Sequence, residues 1–326
     1  MATIRDIAVR AGVTATTVSR VINNRGYISK ETREKVRRAM AEMHYQPNEL
    51  ARALSKRRAN TIVAIVPHVA HPFFASLISS LEQAAAERGY KLLLCNSRQQ
   101  PEKESEFLAM SVSNNAAGII LCSKNVCAQH LQQLEIPIVN LERDEEWGET
   151  VTIHCDNYQG GKLAALHLID RGCTHLLHFG GITGKHMPAD LRGEGFADVC
   201  RDKGISFTVL TADPETYDSM HYHSLIEDAL RSHPETDGIF ASSDLIAAQI
   251  LQVCSRMGIA VPGQMKVVGF DGTMVAFLTS PTITTIRQPV PEMARLSIEH
   301  IDKLLRGELV PNDMTMPVDL IQGEST

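Results

Sequence analysis

No Cys-x-x-Cys pair occurs in the 326 residues, and the seven cysteines are scattered, mostly inside apolar runs. An odd number so spaced excludes a disulfide framework or a zinc site, and reads as buried free thiols in a reducing compartment. No apolar run approaches the roughly 18 residues that a membrane span needs, and the opening Met-Ala-Thr-Ile-Arg-Asp has no apolar signal core. A cytoplasmic protein with no membrane attachment is therefore expected. Nucleophilic chemistry is equally hard to place, since no Gly-x-Ser-x-Gly elbow appears. Gly180 to His186 has the look of a phosphate loop, but it lacks the Walker spacing and ends in His where Ser or Thr must hold magnesium. His221 and His223 stand two apart, and on a helix their rings would diverge. No enzymatic activity, no cofactor and no metal are expected.

What is present is divided by sign. Residues 1–58 hold 13 Lys and Arg against 5 Asp and Glu, leaving 19 against 33 for the remainder, although the net charge is only -6. A basic segment on an acidic body suits a nucleic-acid module, because neutralising phosphates requires clustered cations. With 44% hydrophobic residues the chain can bury sizeable cores, and its length suggests two or three domains.

Thr3-Ile-Arg-Asp6 reads as a capping box, followed at helical spacing by Ile4, Ile7, Ala8 and Ala11 and stopped by Gly12. A second helix starts at Thr14. Its Val18, Val21 and Ile22 point inward, whereas Ala15, Thr16, Ser19, Arg20 and Asn23 share the opposite face. Small residues, hydroxyls and one arginine are what a helix in the major groove needs, since Arg can bond guanine O6 and N7 together. A third helix from Ser29 supplies Val36, Ala39, Met40 and Met43 as its packing face. Asn48 to Arg58 then reads as a hinge helix opened by Pro47 and Asn48, with Leu50 and Leu54 on one face. About ten residues are marginal for a helix standing alone.

Thr3 to Ala8, Ala11-Gly-Val-Thr14, Thr17 to Asn23, His44-Tyr-Gln-Pro-Asn48 and Ala51-Arg-Ala-Leu54 together resemble the LacI/GalR family of bacterial transcription regulators. The resemblance implies a DNA-facing set of Thr3, Thr14, Ala15, Thr16, Ser19, Arg20, Asn23, Tyr45, Asn48, Ala51, Arg52, Leu54 and Ser55. Leu54 matches the family's minor-groove wedge, an apolar side chain that kinks DNA by entering a base step. Ala15 departs from the larger residues of some members. Two hinge helices would pair on a pseudo-palindromic double-stranded operator, so a homodimer is expected; residues 290–326 lack the Leu heptads of a tetramerising tail.

Beyond Ala59 strand-like runs alternate with amphipathic stretches. The strands expected are 61–66, 90–95, 117–121, 136–141 and 151–155, then 174–179, 206–210, 237–241 and 266–270. This predicts an α/β fold, with an all-α helix-turn-helix head and hinge helix ahead of two doubly wound lobes. The domains expected are 1–47, 48–59 and 60–326, the last split into lobes of about 60–156 plus 290–313 and about 157–286 plus 316–326. Family resemblance implies lobes like those of periplasmic sugar-binding proteins, with chain crossings near Asp156-Asn157, near Arg287-Gln-Pro289 and in the last strand.

A ligand should then sit where strand carboxyl ends face each other across a cleft. A sugar needs bidentate Asp, Arg or Asn groups for its hydroxyl pairs and an aromatic platform for its C–H faces. The effector candidates are Phe73, Phe74, Arg143, Arg192, Tyr217, Asp244 and Asp271, with Trp147 a looser one. Asp244 and Asp271 have a plainer reading as helix caps, and Phe74 as core. A repressor of a carbohydrate-utilisation operon, controlled by a sugar or sugar phosphate, is the function the family resemblance implies. A purine or nucleoside effector, a phosphoprotein co-repressor, and a sugar receptor without DNA function are the alternatives.

Overall fold

The Thr3 side chain and Asp6 cap each other's backbone N–H groups, and the helix they open, α1 (Ile4–Ala11), ends on Gly12 at φ +66°. The computed structural model describes residues 2–22, 26–45, 60–122, 131, 134–142, 151–182 and 188–326. They fall into two units, Met1–Ala59 and Asn60–Thr326. In the first, α1 is followed by α2 (Ala15–Ile22) and α3 (Lys30–Glu42), the latter capped by Ser29, whose hydroxyl accepts the Thr32 N–H at 3.2 Å. Ile7, Ala8, Val18, Val21, Val36 and Ala39 form one small core. Spacings of three and four along each helix put them on the inner faces.

The second unit runs β1 (Thr61–Val66), α4 (Pro72–Glu87), β2 (Lys91–Asn96), α5 (Pro101–Ser113), β3 (Gly118–Leu121), β4 (Ile138–Leu141) and β5 (Val151–Cys155). Next come α6 (Asn157–Asp170), β6 (His175–Ile182), α7 (Pro188–Lys203), β7 (Ser206–Ala212), α8 (Pro214–Ser219), α9 (His223–Ser232), β8 (Gly238–Ala241) and α10 (Asp244–Met257). The chain finishes with β9 (Lys266–Asp271), α11 (Met274–Leu278), β10 (Thr284–Arg287), α12 (Val290–Leu305), β11 (Asp313–Met316) and β12 (Asp319–Ile321).

Two six-stranded sheets result, ordered β11-β5-β4-β3-β1-β2 and β12-β10-β9-β8-β6-β7. Every pairing is parallel except that of β12 with β10. A parallel strand is covered on both faces, which is why β1 is apolar at nearly every position: Ile62, Ala64 and Val66 enter one core, and Val63 and Ile65 the other. In lobe 1 those cores lie under α4 with α12 and under α5. In lobe 2 they lie under α9 with α10 and under α6 with α7.

The chain passes between the sheets at 156, at 288–289 and at 317–318. The tail holds two short strands, one per sheet, with the third passage between them. The six described cysteines are all buried free thiols, and among the described residues no helix is long and apolar enough to span a membrane.

Candidate functional site

On α2 the burial follows the periodicity. Val18 and Val21 are buried, and Ala15, Thr16 and Arg20 are exposed together on the other side, with Ser19 half-buried. Thr14 is spent locally, its hydroxyl accepting the Thr17 N–H at 3.1 Å, and Thr3 is spent in its capping box. Tyr45 packs against the core of this unit. Asn23, Asn48, Ala51, Arg52, Leu54 and Ser55 lie outside the described residues, as do Arg143 and Trp147. Tyr27 is 97% exposed in the turn after Gly26 and escaped the sequence reading, because a single aromatic in a turn has no periodicity to betray it.

In the second unit the groups converge at strand carboxyl ends, as an open α/β sheet requires. Arg192 owes its place to a backbone-to-backbone crossing of α6 and α7. A Cβ on Gly161 would lie 1.9 Å from the Arg192 carbonyl oxygen, and one on Gly195 2.1 Å from that of Tyr158, so only glycine permits the approach. From there the buried guanidinium donates from Nε to Asn157 Oδ1 at 2.7 Å and from Nη1 to the Ser242 carbonyl at 2.6 Å. Its Cζ sits 3.6 Å over the ring centre of Phe270, a cation–π contact.

Asp271 ends β9 at φ +107°, a conformation that costs a non-glycine residue strain and so marks a constrained site. Its Oδ1 accepts from Gln288 Nε2 at 2.8 Å and stands 3.8 Å from Arg192 Nη1. Burial raises its carboxyl well above the usual carboxylate range; Arg192 opposes that rise and Asp244 adds to it. Asn157, the first residue past one chain passage, donates from Nδ2 to Glu142 Oε2 at 3.0 Å and to the Cys155 carbonyl at 3.1 Å. Glu142 Oε1 in turn accepts the Cys155 N–H at 2.6 Å. A polar line therefore runs Glu142, Asn157, Arg192, Asp271, Gln288, from lobe 1 through lobe 2 to the second passage, hydrogen-bonded at every step but the 3.8 Å one between Arg192 and Asp271.

Two expected contacts are corrected. Asp244 has no exposed surface: Oδ2 accepts from the Thr273 N–H at 2.6 Å and hydroxyl at 2.9 Å, and Oδ1 from the Thr285 hydroxyl at 2.6 Å. It offers a ligand nothing, nor does it cap α10, which Ser243 caps through the Ile246 N–H. Phe73 is also core, because it continues the α4 stripe of Leu77, Leu81 and Ala84. Phe74 is only partly buried, edge-on to Phe73 and to His71 at 5.1 and 5.8 Å.

His71 caps α4, its Nδ1 accepting the Phe73 N–H at 3.3 Å. Burial, then the charges of His68 and Arg192, lower its pKa to about 4, so the ring is neutral near pH 7. Tyr217, on α8, has its phenol raised to about 12, mainly by burial, and its side chain is hydrogen-bonded to Gln99 of lobe 1. Beside that pair, His68 Nε2 of lobe 1 stands 3.6 Å from Asp218 Oδ1 of lobe 2. The loops after β1 and β2 thus meet the segment after β7 directly. Glu142, Asn157 and Gln288 belong to the site as well. Their only signal in the sequence was proximity to strand ends and chain crossings.

The lacI family of bacterial regulatory proteins matches residues 3–48, and a periplasmic binding protein-like domain matches residues 165–326. The chain is 33% identical over its whole length to the sucrose operon repressor of Streptococcus mutans serotype c, covering 99% of that protein. The chain belongs to the LacI family. A ribose operon repressor of Halalkalibacterium halodurans is 35% identical over 93% of this chain and 91% of its own. Among solved structures, the transcriptional regulator CelR in complex with cellobiose superposes with a TM-score of 0.74 at 27% identity, over all of both chains. As a LacI-family member the protein is a DNA-binding transcription regulator with a helix-turn-helix unit and a two-lobed α/β unit.

Proposed function

We propose that this LacI-family regulator represses a carbohydrate-utilisation operon, binding operator DNA as a homodimer and responding to a sugar held between the lobes. The exposed face of α2, with Ala15, Thr16 and Arg20 on it, is the base-reading surface. Names of relatives support the carbohydrate class, since both are repressors of sugar operons. One observation carries the choice of site: Arg192 and Asp271 lie side by side at strand carboxyl ends, both buried, 3.8 Å apart. A donor and an acceptor so spaced suit the hydroxyls of a polyol, whose apolar face Phe74 would cover.

The test is a thermal-shift screen of mono- and disaccharides, phosphosugars and purines on the full chain, because a bound ligand stabilises the folded state by mass action. A sugar should raise the melting temperature of the wild type and fail to do so for Asp271→Ala. A purine as the sole hit would overturn the carbohydrate reading. Sedimentation should give a dimer at micromolar concentration.

A further inference from the structure

We propose that Asn157 is a positioning residue, which sets the plane of the Arg192 guanidinium and ties it to lobe 1 through Glu142. The inference rests on the reading of this junction as the effector site and adds the part that connects it to the other lobe.

Which way the Asn157 amide points is decided by its neighbours. Glu142 Oε2 at 3.0 Å and the Cys155 carbonyl at 3.1 Å are both acceptors, so the nitrogen faces them. The oxygen is then left to receive Arg192 Nε at 2.7 Å. The side chain is 1% exposed, and all three of its hydrogen bonds are made inside the protein. Glu142 is committed as firmly: its two oxygens are taken by the Cys155 N–H and by Asn157, the residues on either side of the passage at Asp156. Glu142 itself is held at φ +53°, outside the range that a non-glycine residue adopts freely. With Asn157 on Nε, the Ser242 carbonyl on Nη1 and Phe270 beneath, the guanidinium has one orientation.

The consequence is mechanical. A ligand that draws the guanidinium toward itself pulls on the Asn157 oxygen, and a turn of that amide withdraws its nitrogen from Glu142. Hydrogen bonds to charged groups in a water-poor site are the strong ones, so such a shift is costly enough to be felt in lobe 1.

Reversing the hydrogen-bond polarity tests this. Asn157→Asp keeps an oxygen for Arg192 but sets a carboxylate against Glu142; Glu142→Gln alone sets two amide nitrogens face to face. Combined, Asn157→Asp with Glu142→Gln restores one donor and one acceptor between the two side chains, while the Cys155 carbonyl loses the donor that Asn157 gave it. On the full chain, titrated with sucrose and with D-ribose by calorimetry, Asn157→Ala and each single variant should bind the responding sugar at least tenfold more weakly than wild type. The double variant should bind at least about threefold more tightly than either single variant, because residues in contact couple. Wild-type affinity in Asn157→Ala, or a double variant as weak as Asn157→Asp, overturns the proposal. If wild type binds neither sugar, that choice of effector fails. The link is then decided without a ligand, by NMR of the Arg192 Nε–H proton. Its exchange with water should be slow in wild type and in the double variant and fast in Asn157→Ala; equal rates in all three refute the link.

Discussion

Arg192 Nη1 stands 3.8 Å from Asp271 Oδ1, beyond hydrogen-bonding reach, although both side chains are almost fully buried. Unlike charges taken out of water normally close to bonding distance, because nothing else repays their desolvation. Here each is held off by neighbours: Arg192 by Asn157, Ser242 and the Phe270 ring, Asp271 by Gln288. The pair is therefore poised around a gap that a hydroxyl can bridge, donating to one and accepting from the other.

Replacing Arg192 by Met should abolish sugar binding and lower stability by on the order of 3 kcal/mol, since it leaves the Asp271 carboxyl buried without its cation. Adding Asp271→Asn should recover only part of that stability and none of the binding, because the Asn157 oxygen and the Ser242 carbonyl stay buried without their donor. Chemical denaturation and calorimetry on the three variants separate the two effects; recovery of binding in the double variant would remove both residues from the site.

Burial of Asp244 gives stability a pH dependence whose sign follows from the raised pKa. Burial raises its pKa to about 6, against the hydrogen bonds of Thr285 and Thr273, which lower it. The folded state thus holds this proton more tightly than the unfolded chain, whose aspartates titrate near 4. Its contribution to stability rises as pH falls through 6, is complete only below about 4, and is lost as pH rises again. Asp244→Asn keeps the carbonyl for Thr273 and lets the Thr285 hydroxyl accept, so it should flatten the profile by about 2 kcal/mol between pH 4 and 7. Melting curves with parallel pH slopes in wild type and variant would refute this.

Arg20 is exposed on the outer face of α2. Arg20→Ala should weaken binding to the selected operator by about 1–3 kcal/mol and to random DNA hardly at all. Equal losses on both would make it a phosphate contact only.

Gly161→Ala drives a methyl group to 1.9 Å from the Arg192 carbonyl oxygen, so α6 and α7 must part. A destabilisation of about 3 kcal/mol or more is expected, the upper range for overpacking. Gly263→Ala is the control, as its Cβ would meet nothing nearer than 3.6 Å. Similar melting temperatures for the two variants would show that the helix crossing is slack.

The α2 face and both sheets were legible because they rest on periodicity: three or four residues per turn, and unbroken apolar runs where strands are covered twice. The polar line was not. Glu142 and Asn157 are 15 residues apart, and Asn157 and Arg192 are 35 apart, and no local pattern says that they touch. Asp244 was misassigned for a related reason. It follows a strand as the sequence suggests, but the direction of its side chain depends on Thr273, just past β9, and on Thr285 of β10, both remote in sequence.

The interleaving of the two sheets sets an order of events during synthesis. Strands β6 to β10 of lobe 2 and their helices occupy one continuous stretch, residues 157–287, whereas lobe 1 waits for α12 and β11 from beyond it. Met293, Ala294, Ile298 and Ile301 of α12 cover the first-made sheet, whose β1 residues Ile62, Ala64 and Val66 must leave the ribosome long before them. The part of this unit made first is thus the part finished late, and in the interval α4 alone covers an apolar face that needs α12 beside it.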